Sequence, residues 1–463
     1  MQASAEIQHE QIEERSSKKH PPGLYLLFFT EMWERFSYYG MRAILVLYLT
    51  TAVISGGLGM KEEAALMLYG FFTGAVYLTP LVGGYLSDRF LGRRLAITIG
   101  GILMALGNFA LFSSQTYTAL YIGLALLIIG NGFFKPNIST LVGELYEEND
   151  RRRDGAFTIF YMGINIGAFF APLVIGFLAE DFFKTTVDGF VHYGFKYGFL
   201  AASIGMIIGQ LIFNIFGNRY LGDIGKKPTG KPQVNDQGVV EKKPLTKKEK
   251  QRTAVIFILA VFVVAFWAGF EQAGSSLTLY TAKFVDRDLF GYEIPISWFQ
   301  SLNPLFIVIL APILSALWLK LSYSKRGDLS IPTKMGLGMI LLGLGFLVVT
   351  LAVLQTGSDE ANIVVKANVL FIIATYFLHT LGELLLSPVG LSLVSRIAPV
   401  KLASLLMGVW LASSGVANIV AGRLAAYTSS LGYLEVFSLI GFVTIGLGLI
   451  LLFISKKLVQ MMD

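Results

Sequence analysis

The chain has 463 residues, of which 54% are hydrophobic and 15% charged, with a formal net charge of +6 and no cysteine. Soluble domains carry about a quarter charged residues, so the composition excludes an ordinary soluble fold and points to a membrane protein. The lack of cysteine excludes disulfides and thiolate metal sites.

Residues 1–22 are polar, with no apolar core or cleavage site, and read as a cytoplasmic tail rather than a signal peptide. A membrane span needs roughly 20 mostly apolar residues. Such stretches follow at 23–53, 63–87, 95–113, 118–143, 155–178 and 196–217. Beyond a polar interval they resume at 253–281, 297–320, 331–355, 366–394, 403–427 and 434–455, predicting twelve transmembrane helices in all. A short tail, 457–463, closes the chain.

Lys and Arg gather in alternate loops. RFLGRR, ENDRRRDG, the stretch from Gly217 to Arg252, KLSYSKRGD and SRIAPVK are basic. SGGLGMKEE, SSQTYT, AEDFFKTTVDG, FVDRDLFGYE and QTGSDEAN are mostly neutral or acidic. The positive-inside rule then puts both termini in the cytoplasm. The net positive charge is a topology signal, and a nucleic-acid partner is not required to explain it.

The polar interval, 218–252, is rich in Lys, Gly and Pro and reads as a flexible cytoplasmic linker. It separates a six-helix bundle at 23–217 from another at 253–456. Two such halves, related by an axis along the membrane normal, describe the major facilitator fold. GGYLSDRFLGRR, Gly83 to Arg94, resembles the loop of that superfamily in which an Asp and basic residues tie cytoplasmic helix ends together. The matching loop of the second half, LKLSYSKRGDLS, keeps basic charge but not the glycines or the Asp in register.

The first span carries Glu31, Glu34, Arg35 and Arg42. At 100° per residue these fall with Tyr38 within about 80° of arc, and Tyr39 lies on its shoulder. A charge at bilayer depth costs on the order of 3 kcal/mol, so such residues face a cavity and pair. Snorkelling at a membrane edge cannot serve all of them, because about 16 Å of helix separates Glu31 from Arg42. The other intramembrane charges belong to different spans: Lys135 ahead of Pro136 in the fourth, Glu271 in the seventh, and Glu383 one turn after His379 in the tenth. Asn165 and Asn303 also need bonding in lipid, and Gly163, Gly167 and Ala171 leave a packing role for Asn165 as open as a binding one.

Both halves thus contribute to one polar site, where an alternating-access carrier binds its substrate. Cations and carboxylates in a dry cavity imply a zwitterionic ligand. Arg suits its carboxylate, with Lys as a second charge; Glu383, Asn165 and Asn303 suit its ammonium group. Tyr38, Tyr39, Tyr77, Trp267, Phe299 and Trp410 would give a tolerant apolar wall. Carboxylates whose charge depends on a neighbouring cation are natural proton sites. The chemistry therefore predicts a proton-coupled carrier of small zwitterions. Lys135 and Glu383, in opposite halves and each needing an opposite charge in lipid, are expected to pair.

EMWERFSYYGMR is similar to the ExxERFxYYG signature of the proton-dependent oligopeptide transporter family, a branch of the major facilitators. The likeness continues, in family order, through GGYLSDRFLG, NGFFKPNIS, DRRRDGAFTIFYMGINIGAFFAPL, FWAGFEQ, WFQSLNPLF, GELLLSPVGLS and MGVWLASS. Many bacterial members carry two extra helices between the halves; this chain resembles the twelve-helix members. The resemblance implies that Glu31, Glu34 and Arg35 couple protons, and that Arg35, Tyr39 and Lys135 grip the peptide carboxylate. It implies that Asn165, Asn303 and Glu383 hold the amino end, and that Tyr38, Tyr77, Trp267, Phe299, Trp410 and Ser414 line side-chain pockets. Glu271 would take a proton and pair with Arg42 across the halves.

Phe270 stands where several bacterial relatives have a second Glu, and His379 has no place in the family pattern and reads as a packed, hydrogen-bonded histidine. The expectation is a monomeric symporter of di- and tripeptides in a bacterial inner membrane, surrounded by lipid, with protons as coupling ion and no other cofactor or metal. The alternatives are a member carrying nitrate or a peptide-like drug, or a peptide-binding nutrient sensor. An enzyme is not expected, for want of a metal cluster, nucleophile–base motif or nucleotide loop.

Overall fold

The computed structural model describes residues 19–147, 150, 152–228, 245–324, 327–357, 363, 365–399 and 402–462. Most of the tail expected at 1–22 and the middle of the linker expected at 218–252 lie outside the described residues. The first helix, α1 (Pro22–Thr50), begins on a proline, where the missing N–H has no intrahelical partner to lose. It is followed by α2 (Glu62–Leu86), α3 (Arg93–Ser113), α4 (Tyr117–Glu144), α5 (Arg152–Gly176) and α6 (Phe195–Leu221). A wider π-turn, Phe177–Phe182, extends α5.

The second group comprises α7 (Lys247–Phe270), α8 (Ser276–Phe284), α9 (Leu302–Ser322), α10 (Ile331–Thr356), α11 (Leu370–Ile397), α12 (Ala403–Ala426) and α13 (Tyr433–Met462). Thr246 and Glu249 form a reciprocal capping box at the start of α7. Among the described residues, ten helical segments are long and apolar enough to cross a membrane. Large apolar side chains such as Val261, Ile313, Leu354 and Phe453 stand exposed on the outside, as a lipid-facing surface requires.

Three small sheets mark one end of the bundle, the hairpin face. β1 (Thr185–Val187) pairs with β2 (Phe190–His192) and β4 (Asp288–Leu289) with β5 (Tyr292–Glu293), both antiparallel. β3 (Val285–Asp286) runs parallel to β6 (Ala367–Asn368). The two hairpins turn on Asp188–Gly189 and Phe290–Gly291, each with two consecutive residues at positive φ, the turn that matches strand twist. The opposite end is the linker face. There Gly92, at φ 78°, reverses the chain, and Arg93 pairs with Asp88 at 3.1 Å and with Glu144. Arg94 donates to Asn218 Oδ1 (2.9 Å) and the Gly222 carbonyl (3.0 Å), so this loop clamps the ends of α2, α3, α4 and α6 as its sequence predicts.

Buried apolar side chains form two clusters, one drawn mainly from 24–221 and one from 255–458. Between them, α2 crosses α12 at Gly70 and Gly422, so close that a Cβ on Gly70 would collide with the Gly422 backbone. The turn Ile296–Ser301, a 3-10 helix, and α9 pack on α5.

The seventh apolar stretch differs from its expected form. In place of one continuous helix over 253–281, α7 ends at Phe270, a 3-10 turn spans Glu271–Gly274, and α8 restarts at Ser276. Backbone groups freed at membrane depth need protein partners. The Ala273 carbonyl accepts from Thr278 Oγ1 (2.7 Å) and Tyr376 Oη (3.3 Å). Gln272 Nε2 donates to the carbonyls of Ala268 and Ala421, both at 3.0 Å.

Candidate functional site

A cavity of about 230 Å³ lies between the halves. Its first-half wall comes from α1 (Tyr39, Arg42), α2 (Tyr77) and α5 (Tyr161, Asn165). Its second-half wall comes from α7 and the following turn (Trp267, Phe270, Glu271), the α9 region (Gln300, Asn303) and α11 (Tyr376, His379, Glu383). Polar groups of both signs face an otherwise aromatic enclosure.

The charged face of α1 is buried as its periodicity requires: Glu31, Glu34, Arg35 and Arg42 are each at most 7% exposed. Glu31, Glu34 and Arg35 are satisfied largely among themselves. Arg35 lies 3.2 Å from Glu31 Oε1 and donates through its second nitrogen to Glu34 Oε1 at 2.7 Å, while its guanidinium sits 5.3 Å from the Tyr38 ring and 5.8 Å from the Tyr39 ring. Glu31 Oε2 and Tyr38 Oη are buried with no partner among the described residues. This group lies behind the cavity wall rather than on it.

Arg42 instead crosses to the other half and pairs with Glu271, with Tyr69 Oη accepting from its Nε at 2.6 Å. Glu271 is the first residue of the 3-10 turn after α7. On the far wall Asn303 Nδ2 donates to Glu383 Oε2 at 2.7 Å and to Thr380 Oγ1 at 3.1 Å. Asn165 Nδ2 is held by the Tyr161 carbonyl at 2.9 Å, which orients its amide.

The pair expected between Lys135 and Glu383 is not made. Lys135 Nζ rests 4.0 Å from the centre of the Tyr77 ring, and Glu383 is bonded to Asn303, so each has a partner within its own half. Phe299, Trp410 and Ser414 are likewise not among the residues around the cavity. Phe299 is on a 3-10 turn, where the α-helical period does not hold, and it packs into the second apolar cluster. Trp410 joins the same cluster from α12. The Ser414 carbonyl accepts from Asn418 within that helix.

Several lining residues were not anticipated. Tyr161 stands one turn before Asn165, and Thr380 and Tyr376 lie three and seven residues before Glu383. Stepping back by helical periods from the marked polar residue would have found all three. Tyr69 carried no such signal. His379 touches the cavity but is 2% exposed, its ring 4.8 Å from Phe346, and a Cβ on Gly345 would contact its Nε2 at 2.7 Å. It is packed, as the sequence suggests, but its Nε2 has no hydrogen-bond partner among the described residues.

Apolar helices in two packed groups, with an enclosed site of mixed charge between them, define a multi-pass membrane transporter. The POT family matches residues 94–240 and 231–438. An uncharacterized transporter of Bacillus subtilis strain 168 is 36% identical, over 96% of this chain and 95% of that protein. A di-/tripeptide transporter of Lactococcus lactis subsp. cremoris is 32% identical, over 96% of each. A crystal structure of a mutant peptide transporter POT in complex with alafosfalin superposes with a TM-score of 0.86 at 34% identity, covering 96% of each chain. The chain belongs to the POT family.

Proposed function

We propose that this POT-family protein imports di- and tripeptides across a bacterial inner membrane together with protons, by alternating access. One observation carries the reading: Arg42 and Glu271, from opposite halves, pair beside an enclosed cavity whose other wall presents the Asn303–Glu383 unit. A zwitterionic peptide offers its ammonium group to the Asn303–Glu383 unit and its carboxylate to the cations of the first half. The relatives, among them di-/tripeptide transporters and a structure holding alafosfalin, support the same substrate class.

In this reading α1, which carries Glu31, Glu34, Arg35 and Arg42, and α11, which carries Glu383, cross the membrane with the ten apolar segments, giving twelve spans, and both termini are cytoplasmic. The bundles run over 23–217 and 253–456 and rock about the cavity. Asn165, Asn303 and Glu383 hold the amino end. Arg35, Tyr39 and Lys135 receive the carboxylate, and Tyr38, Tyr77, Trp267, Phe299, Trp410 and Ser414 shape side-chain pockets as the halves move. Glu31, Glu34, Arg35 and Glu271 couple the proton, which is co-substrate rather than resident cofactor. The protein works as a monomer among lipids.

Uptake of labelled dialanine into proteoliposomes under an inward acid gradient tests this, with free alanine and nitrate as comparisons. The expected result is accumulation of dialanine alone, above the gradient-free control. Accumulation of nitrate, or none of dialanine, overturns it.

A further inference from the structure

The Arg42–Glu271 pair is not the outermost link between the halves. At the hairpin face, Glu180 in the extension of α5 is 6% exposed, and its carboxylate accepts two backbone hydrogen bonds from the other half. They come from Ile296 N (2.6 Å) and Ser297 N (3.0 Å), the first residues of the 3-10 helix Ile296–Ser301. That short helix donates back to α5 along its length. Trp298 Nε1 donates to the Leu173 carbonyl at 2.9 Å and Ser301 Oγ to the Phe169 carbonyl at 2.8 Å. Gly176 leaves room for this contact, since a Cβ there would collide with Ser297. Outside it, Tyr292 Oη donates to Asp181 Oδ2 at 2.9 Å, and Lys184 lies 3.5 Å from Glu293.

The geometry points to Glu180 as a positioning residue of transport: a latch that holds the hairpin ends of the two halves together, in series with the Arg42–Glu271 pair. The inference rests on the alternating-access reading. Backbone N–H groups bonded to a buried carboxylate make strong, charge-assisted hydrogen bonds, and they cannot swing away as a side chain can. Separating the halves at this face requires both bonds to break together with the Trp298 and Ser301 contacts. Neutralising Glu271 removes one of the two layers and leaves these bonds still to be broken.

Two substitutions separate the latch from general damage. Glu180→Ala removes the acceptor. Ile296→Pro removes one donor and leaves Glu180 untouched, and Pro295, at φ −54° and ψ 138°, already has the conformation a following proline requires. The chain has no cysteine, so Val187→Cys and Phe290→Cys, on exposed hairpins of opposite halves, can be spin-labelled without background. Distances between them are measured by pulsed electron resonance in lipid nanodiscs, without substrate or gradient.

Each substitution is expected to raise the long-distance population at least threefold, and either one combined with Glu271→Gln to exceed the product of the separate increases. Glu180→Gln, which retains one acceptor oxygen, should fall between the unsubstituted protein and Glu180→Ala. If Glu180→Ala does not yield monodisperse protein, Ile296→Pro carries the test. An unchanged distribution in monodisperse Ile296→Pro overturns the latch. Absence of peptide uptake by the unsubstituted protein strikes only at the transport reading, because the distances do not depend on it.

Discussion

Arg42 of α1 and Glu271 of the 3-10 turn after α7 form an ion pair 229 residues apart in sequence, both nearly buried, with Tyr69 as a third member of the group. Removing one partner of such a buried pair typically costs about 3–5 kcal/mol. That is enough to move a two-state population by a hundredfold or more. Glu271→Gln should therefore behave as the neutralised state and weaken the closed hairpin face. Spin-label distances across that face, compared between Glu271→Gln and the unsubstituted protein from pH 5 to 8, check it. The variant should be shifted toward longer distances at every pH.

Glu34 is bonded to Arg35 behind the cavity wall rather than on it. Glu34→Gln is expected to abolish gradient-driven accumulation of dialanine while preserving most peptide exchange, which needs binding and reorientation but no net proton movement. Counterflow and gradient-driven uptake measured on the same proteoliposomes separate the two. If the variant still concentrates peptide, Glu34 is not a coupling residue.

Asn303 is the hydrogen-bond donor to Glu383. Asn303→Leu leaves that half-buried carboxylate without its amide partner, at a cost of about 1–3 kcal/mol. Dialanine affinity should fall about tenfold, read by calorimetric titration. N-acetyl dialanine, which has no ammonium group, should bind neither form. Binding of the acetylated peptide by the unsubstituted protein would remove Glu383 from the amino-end role.

Gly70 meets Gly422 at the crossing of α2 and α12. Gly70→Val forces those helices apart, and overpacking of this kind costs about 1–3 kcal/mol. Because the contact joins the two halves, the cost should appear as a longer distance across the hairpin face, with only a small loss of thermal stability. A large fall in Tm at unchanged distance would mean that the crossing serves the fold and not the closure.

Much of this was legible in the chain, for reasons that also explain the failures. Lipid excludes polar side chains, so the apolar stretches appear wherever a helix must cross. The arc of Glu31, Glu34, Arg35, Tyr38 and Arg42 follows from the helical period, and all five are buried. The family resemblance, not charge counting, pointed to the pairing of Arg42 with Glu271. Charge counting did not yield a direct pair between Lys135 and Glu383, because a tyrosine ring and an amide satisfy them locally and counting charges overlooks neutral partners. Phe299 packs into the second apolar cluster away from the cavity, and choosing residues by aromatic type alone does not separate core from lining. The break after Phe270 was hidden because Ala273, Gly274, Ser275 and Ser276 suit tight helix packing as well as a turn.

That break gives α8 a divided allegiance. Leu279 belongs to the apolar cluster of the first half, while Leu277, Tyr280 and Phe284, on the same short helix, belong to that of the second. The connection between the halves is therefore not only the peptide chain between α6 and α7. Synthesised as two separate polypeptides, cut between those helices, the bundles should find each other in the bilayer and co-purify in one-to-one ratio, held by a segment that each of them counts as its own interior.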